Sequence, residues 1–350
     1  MSAPRELQRT GLFSPARKNR DRVLLAIKQA FPDNHEVPTL KLLAGGNSGN
    51  PVYQVTLGEQ AVVARVTNGN EKAIAEHLIS RLTGESGIAP TVIYPNQLDS
   101  KHAVMITEFV DGEPLTPINC KNHEDDMLQI IRNIHDIDTP NSMPAAFSLF
   151  DAIRQFGGEF TTENHQELLQ QVDRLESLLA NDTAASVCFV HNDINVNNCK
   201  INANGDIKVF DWGDGGMGDP LADLAHYTNL FGYNADESNK ILNKYLQKDP
   251  TEVEAAHFNL LKYVSVLRTG MATASYACKA DKTSSFKPDA TEKSWDDWYA
   301  GYKAGTNKPD NAEGLHKVAS AALNTWQSHQ KEISQHEATL AANQRPRNTP

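Results

Sequence analysis

Three oxygen-bearing side chains stand out by type and spacing. An apolar run, Ser186-Val187-Cys188-Phe189-Val190, leads into His191-Asn192-Asp193, and four residues separate Asp193 from Asn198. A second apolar run, Ile207-Lys208-Val209-Phe210, ends in Asp211-Trp212-Gly213. Each run reads as a short strand that delivers an acid at its C-terminal end. Asn204-Gly205-Asp206 lies between them, and Asn-Gly flanked by alternating residues is a strong hairpin signal. The turn is expected to bring Asp193, Asn198 and Asp211 near one another. One carboxylate can then orient a hydroxyl and accept its proton, while an amide oxygen and the second carboxylate hold a hard divalent cation. That is the equipment of phosphoryl transfer, in which positioning and charge neutralisation do most of the catalysis.

The elements that must position these groups follow from periodicity. After a polar arm to about Asn19, Asp21 to Phe31 reads as a helix with Val23, Leu24, Ile27 and Ala30 on one face. Leu40, Leu42 and Leu43 then lead into Ala44-Gly45-Gly46-Asn47-Ser48-Gly49-Asn50, followed by the strand Val52 to Leu57. A glycine loop between strands lets backbone N–H groups approach phosphate oxygens without obstruction, although the same residues also make ordinary turns. Strands are expected at Ala61 to Val66, at Val92 to Tyr94 and at Ala103 to Val110, with a helix from Glu71 to Leu82. Beyond Asp111 the pattern becomes helical: Asp125 to Ile137, Glu163 to Leu179, Ala225 to Phe231, Ser238 to Tyr245, Ala255 to Ala277, Ser294 to Tyr302 and Ala312 to His329. From His336 the tail carries too little apolar content to pack and is expected to be disordered.

Composition sets the outer bounds. A chain of 350 residues can bury a sizeable core in about two domains. A formal charge of -11, from 33 basic and 44 acidic residues, argues against a nucleic-acid partner and is easier to reconcile with a cationic substrate. Cys120, Cys188, Cys199 and Cys278 form no Cys-x-x-Cys pair, which points to a reduced, cytoplasmic setting and to neither zinc nor a disulfide framework. The N-terminus lacks an apolar core and is not a secretory signal, and no apolar run is long enough to span a membrane.

The His-x-Asp-x-x-x-x-Asn loop followed by a lone Asp resembles the catalytic and metal loops of eukaryotic-like kinases. Gly218-Asp219-Pro220-Leu221-Ala222-Asp223-Leu224-Ala225 resembles the small-molecule branch of that superfamily, aminoglycoside phosphotransferases and choline/ethanolamine kinases. The resemblance implies ATP and Mg2+ as cofactors, an α+β two-lobed kinase-like fold, Asp193 as base, Asn198 and Asp211 as magnesium ligands, and His191 as a loop-stabilising residue. Asp219 and Asp223 would brace the loop. Gly46, Asn47 and Ser48 resemble part of the choline-kinase nucleotide loop. Arg65 stands where kinases carry a phosphate-gripping lysine, with Glu76 placed to pair with it, and Glu108-Phe109-Val110-Asp111-Gly112 resembles the hinge whose backbone meets adenine. The implied lobes are residues 21–111, β-rich, and 112–335, mostly helical, flanked by a flexible arm at 1–20 and the tail at 336–350.

The acceptor is less sharply marked. Trp295, Trp298 and Tyr302 fall at i, i+3 and i+7, and ring faces attract ammonium groups by roughly 0.5 to 2 kcal/mol each. A core-facing stripe has the same spacing. Asp296 or Asp297 would add attraction, and choline kinases use aromatic and acidic residues in this region. With the Phe147 to Phe156 and Phe231-Gly232-Tyr233 segments, this favours choline, ethanolamine or a related amino alcohol. An aminoglycoside or other sugar-alcohol acceptor is the rival, and a non-catalytic kinase-fold scaffold the remaining alternative. One departure is visible: choline kinases commonly carry an acid two places after the metal-binding Asp, where this chain has Gly213, with Asp214 next. Asp214 is the candidate replacement.

Overall fold

The computed structural model describes residues 15–43, 50–68, 71–97, 102–157, 165–182, 186–282 and 286–344. Along the chain run α1 (Pro15–Ala30), β1 (Thr39–Leu42), β2 (Val52–Leu57), β3 (Gln60–Asn68), α2 (Glu71–Glu85), β4 (Val92–Gln97), β5 (His102–Glu108) and β6 (Gly112–Pro114). Then come α3 (Glu124–His135), α4 (Leu149–Gly157), α5 (His165–Ala180), β7 (Cys188–Val190), β8 (Cys199–Asn202), β9 (Ile207–Val209) and β10 (Gly216–Gly218). The remainder is helical: α6 (Pro220–Leu230), α7 (Ala235–Leu246), α8 (Glu252–Asp281), α9 (Trp295–Lys303), α10 (Ala312–Ser328) and α11 (Gln330–Gln344). This is the expected α+β class, strands first and helices after.

The chain divides into two compact units. The first holds the described residues up to Glu113 together with Lys200–Gly213; the second holds Pro114–Cys199 and the described residues from Asp214 onward. In the first unit five strands form one antiparallel sheet in the order β1-β2-β3-β5-β4. Alternate residues of β2 are buried, as a half-covered sheet requires. The cover is α1, whose Val23, Ala26 and Ile27 pack against Val55, Val62, Ala64, Val104 and Ile106. This helix begins at Pro15, several residues before the expected Asp21.

The expected Asn204-Gly205 turn forms, with Gly205 at φ 88°, where only glycine sits without strain. It joins β8 to β9, however, and not the two apolar runs. The first run, β7, pairs with β10 through Val190 opposite Gly216 and Phe189 opposite Met217. Gly216 is held at φ 156°, and a Cβ there would stand 2.6 Å from the Pro144 carbonyl oxygen. The β8–β9 hairpin therefore belongs with the first unit, where the sequence placed it in the helical lobe.

The second unit is organised on α8, which packs against α10, α6, α4 and α11. Its start is fixed by a capping box in which Thr251 and Glu254 exchange hydrogen bonds with each other's backbone N–H. Asp219 caps α6, with Pro220 opening the first turn.

The tail departs from expectation. Residues 336–344 are helical, the last part of α11, with Ile333 and Leu340 buried and the Gln344 amide donating to the Leu178 carbonyl at 2.6 Å. Two apolar side chains spaced two turns apart suffice to dock a helix that composition alone leaves unpacked. Removing residues 336–350 should therefore cost about 2–3 kcal/mol, chiefly from Leu340. A lower urea-unfolding midpoint for the truncated chain checks this; an unchanged midpoint would mean the segment is not packed.

Candidate active site

The loop between β7 and β8 is held from beneath by one carboxylate. Asp223, fully buried on α6, accepts from the backbone N–H of His191 at 2.8 Å and from that of Asn192. It also meets His135 Nε2 at 3.1 Å, and the other nitrogen of that ring lies 2.7 Å from the Tyr245 hydroxyl. Burial alone would raise the Asp223 pKa, but His135 and the His191 contacts outweigh it and hold the group below its ordinary value. Asn192 takes φ 64°, a left-handed conformation that Asn tolerates better than most residues. His191 is fully buried, and its Nδ1 accepts the Asp193 N–H at 3.1 Å. These contacts aim Asp193.

The Asp193 carboxylate is held from both sides. Oδ2 accepts from the amides of Asn195 at 3.0 Å and Asn198 at 3.1 Å, and Asn198 also donates to the Asp193 carbonyl at 2.9 Å. Oδ1 accepts from Arg268 Nη1 at 3.0 Å. The same guanidinium reaches Asp214 Oδ2 through Nη2, also at 3.0 Å. Burial and the Asp214 charge push the Asp193 carboxyl up in pKa while Arg268 pulls it down; the balance lies above the ordinary value. Arg268 carries no signal in the sequence. It is one cation in a long helix, flanked by Leu267 and Thr269, and only the fold reveals that its face of α8 meets the loop after β7.

Asp219 does more than cap α6. Its Oδ2 meets His257 Nε2, and His257 Nδ1 lies 2.7 Å from Asp182 Oδ2, a buried imidazole between two carboxylates. Burial works against charge on His257, but Asp219 and Asp182 outweigh it and raise its pKa. Asp223 thus contacts the loop directly, while Asp219 holds the start of α6 and, through His257, meets Asp182.

In the first unit Arg65, on β3, forms the expected ion pair with Glu76 of α2, Nη1 to Oε1 at 3.0 Å. The same nitrogen donates to Asp211 Oδ1 at 2.9 Å. Burial disfavours the Arg65 charge, but Glu76 and then Asp211 raise its pKa above the ordinary value. Asp211 follows β9 at φ 59° with its side chain half exposed, and Trp212 beside it is buried, its indole N–H donated to the Val209 carbonyl at 3.1 Å. Glu108 ends β5 and donates its N–H to the Thr91 carbonyl at 3.0 Å, and Val110 just beyond it is buried. Gly46, Asn47 and Ser48 lie outside the described residues.

The aromatic stripe faces the core. Trp295 and Trp298 keep 3% and 6% of their surface and pack with Leu230, Val266, Val318 and Ala322, while Tyr302 lies partly buried on the same cluster. The Trp295 indole N–H is donated to the Asn229 carbonyl at 3.2 Å. Rings sealed to this degree present no open face to a ligand, so the stripe is a packing surface and corrects the expected cage. Asp214 is tied to Arg268 and is not a free acidic group.

Among the described residues no group of three or more His, Cys, Asp or Glu side chains comes together as a metal centre. The donor set expected for magnesium needs fewer protein ligands, since that ion keeps waters and phosphate oxygens around one or two carboxylates. Asn198 fits such a role: its amide nitrogen is engaged by Asp193, which leaves the oxygen for a cation. Asp211, half exposed and with Oδ1 on Arg65, still has Oδ2 to offer. Burial pushes the thiols of Cys199, which is buried, and Cys188, which is partly buried, up to about 12, which leaves them unreactive.

A model of the phosphotransferase enzyme family matches residues 39–255. Among solved structures, a choline/ethanolamine kinase family protein from Mesorhizobium loti is similar at 18% identity, covering 93% of this chain and 99% of that one with a TM-score of 0.61. Choline kinase from Cryptosporidium parvum Iowa II superposes with a TM-score of 0.65 at 15% identity, over 93% of this chain and 99% of that one. A spectinomycin phosphotransferase, solved with ADP and spectinomycin, gives a TM-score of 0.52 at 14% identity over 87% and 98% of the two chains. At these identities the likeness is one of fold. No curated protein matches the sequence.

Two measurements check this geometry. His257 has a raised pKa, so its stabilisation is complete below the ordinary histidine value near ~6.5 and fades as pH rises through the folded value. His257→Gln should therefore lose more stability, by chemical unfolding, at pH about 5.5 than at pH about 9, and a gap that widens with pH would contradict the assignment. Trp298→Ala should cost about 3–5 kcal/mol and leave the KM for amine acceptors unchanged; a selective rise in that KM would restore the cage.

Proposed function

Because the chain belongs to the phosphotransferase enzyme family, we propose that it transfers the γ-phosphoryl group of MgATP to a hydroxyl of a small molecule. The observation that carries this reading is the Asp193 carboxylate, fixed at Oδ2 by Asn195 and Asn198 and at Oδ1 by Arg268 on a loop braced by Asp223. A carboxylate so held can receive an acceptor hydroxyl, align its oxygen for in-line attack and take the proton as the bond to phosphorus forms. Asn198 and Asp211 are the proposed magnesium ligands, and the bound ion supplies charge neutralisation on the phosphates. Arg65, steadied by Glu76, grips phosphate oxygens, and Glu108 and Val110 meet the adenine edge through their backbone. Gly46, Asn47 and Ser48 are proposed phosphate-binding residues by their resemblance to the choline-kinase nucleotide loop. The transfer requires no covalent enzyme intermediate.

For the acceptor, the choline and ethanolamine kinases among the structural neighbours support an amino alcohol such as choline or ethanolamine. A second reading, a sugar or aminoglycoside alcohol, is favoured by the packing of Trp295 and Trp298 and by the engagement of Asp214 with Arg268. Four free cysteines suit a reducing, cytoplasmic setting, and no helix among the described residues is long and apolar enough to cross a membrane.

Purified chain should release ADP from MgATP when offered a panel of amino alcohols, aminoglycosides and sugar alcohols, and should fail to do so without magnesium. Asp193→Asn keeps an oxygen for Arg268 but removes the base, and should lower kcat by about a hundredfold or more with the melting temperature nearly unchanged. Full activity in that variant would remove Asp193 from the mechanism.

A further inference from the structure

The acceptor end of the proposed site contains its own cation. Arg268 rises from α8 with 11% of its side chain exposed and bridges Asp193 and Asp214, one guanidinium nitrogen to each carboxylate. Nη1 also donates to His226 Nε2 at 2.8 Å. A guanidinium has no acceptor, so that ring nitrogen must be unprotonated. Burial and Arg268 push the His226 pKa down to about 3, which keeps the ring neutral. Tyr276, also on α8, is a further group near Arg268, and His191 lies behind Asp193. Arg268 is therefore the fixed positive charge against these two acids, and it already occupies both.

That placement bears on what can accompany a hydroxyl to Asp193. In choline or ethanolamine the ammonium nitrogen is only two carbons from the hydroxyl oxygen. An acceptor of that length brings its charge into the neighbourhood of the guanidinium when its oxygen is on Asp193. Like charges that near in a poorly hydrated site repel. Arg268 Nε is also buried without a partner among the described residues. Hydroxyl oxygens accept hydrogen bonds from guanidinium N–H groups, whereas an ammonium group has only donors.

We propose that Arg268 determines acceptor specificity: it supplies from within the cation that Asp193 and Asp214 would otherwise attract, and so favours acceptors whose reacting hydroxyl is flanked by neutral, hydroxylated carbon over short amino alcohols. The assignment rests on Asp193 being the acceptor-facing base. It selects the sugar-alcohol class from the two classes given above. An aminoglycoside satisfies it where its amino groups lie several bonds from the reacting hydroxyl.

The test is a ratio of affinities for a charged and a neutral molecule of one shape, choline and 3,3-dimethylbutan-1-ol, measured by calorimetry on the full chain with MgADP. The wild-type chain should bind the neutral alcohol at least as tightly as choline. Arg268→Gln should move the ratio toward choline by about tenfold or more. Arg268→Lys, which keeps the charge, should hold the wild-type ratio, and Asp214→Asn, which removes an anion, should move it further from choline. If the wild-type chain binds neither molecule, choline binding that appears in Arg268→Gln supports the proposal and its failure to appear overturns it. A wild-type preference for choline, or a ratio that Arg268→Gln leaves in place, also overturns it. Should Arg268→Gln not fold, Asp214→Asn decides, and an unmoved ratio there defeats the idea. Since binding is read without turnover, the ratio stays measurable even where no acceptor is phosphorylated, the result that would defeat the phosphotransfer reading instead.

Discussion

A carboxylate with no access to water must be fully partnered, and in this protein that constraint falls on Asp223. It has 0% exposure, and an unpaired charge there would cost several kcal/mol even after relaxation. Its partners are two consecutive backbone N–H groups and a histidine ring. Two adjacent N–H groups turn toward one acceptor only if the chain bends sharply, and Asn192 at φ 64° is that bend. The direction of Asp193 follows from it. So a charge that takes no part in any reaction dictates the backbone of the loop that carries the proposed base, and the cost of the left-handed residue, about 1–3 kcal/mol, is offset within the same set of contacts.

The first unit solves a related problem with opposite charge. Arg65 is largely buried on a strand and is satisfied by Glu76 from the next helix and Asp211 from the loop after β9. Asp211 is the second residue of the two loops with positive φ, and the other two non-glycine cases among the described residues, Gln247 and Lys282, are ordinary helix C-caps. Strain at Asn192 and Asp211 therefore lies where side chains are aimed, while at Gln247 and Lys282 it only ends helices.

What the sequence made legible was local. The strand before His191, the Asn204-Gly205 turn and most of the amphipathic helices are written in residues close together and form, although the turn joins β8 to β9 and the helix expected from Ala225 already starts at Pro220. The Arg65–Glu76 pair was legible too, because a strand followed by a helix limits where a cation can find an acid. Long-range pairing was not. Nothing near Cys188 to Val190 says that its partner is Gly216 to Gly218 and not the hairpin that follows, since a three-residue strand has too few side chains to specify register. Arg268 lies 75 residues from Asp193, and its local pattern is that of any helix. The Trp295, Trp298 and Tyr302 stripe was ambiguous in principle, because a ring that binds a cation and one that fills a core show the same helical spacing. Burial separates the two, and burial is a property of the fold.

The same distinction governs charge. A formal charge of -11 reads as a welcome to cations, but exposed charges are screened over about 8 Å at physiological ionic strength, so most of that charge is not felt where a hydroxyl would react. What is felt there is contact. Of the acids on and around the loop, Asp223 is engaged by backbone N–H groups and His135, Asp219 by His257 and the helix end, and Asp193 and Asp214 by Arg268. Every carboxylate in this neighbourhood already has a partner supplied by the chain. A ligand that brought a further cation would meet carboxylates whose charge Arg268 already offsets, while one that brought only hydroxyl groups would meet no such repulsion. The local chemistry of the loop is thus more selective than the acidity of the whole chain, and it points the other way.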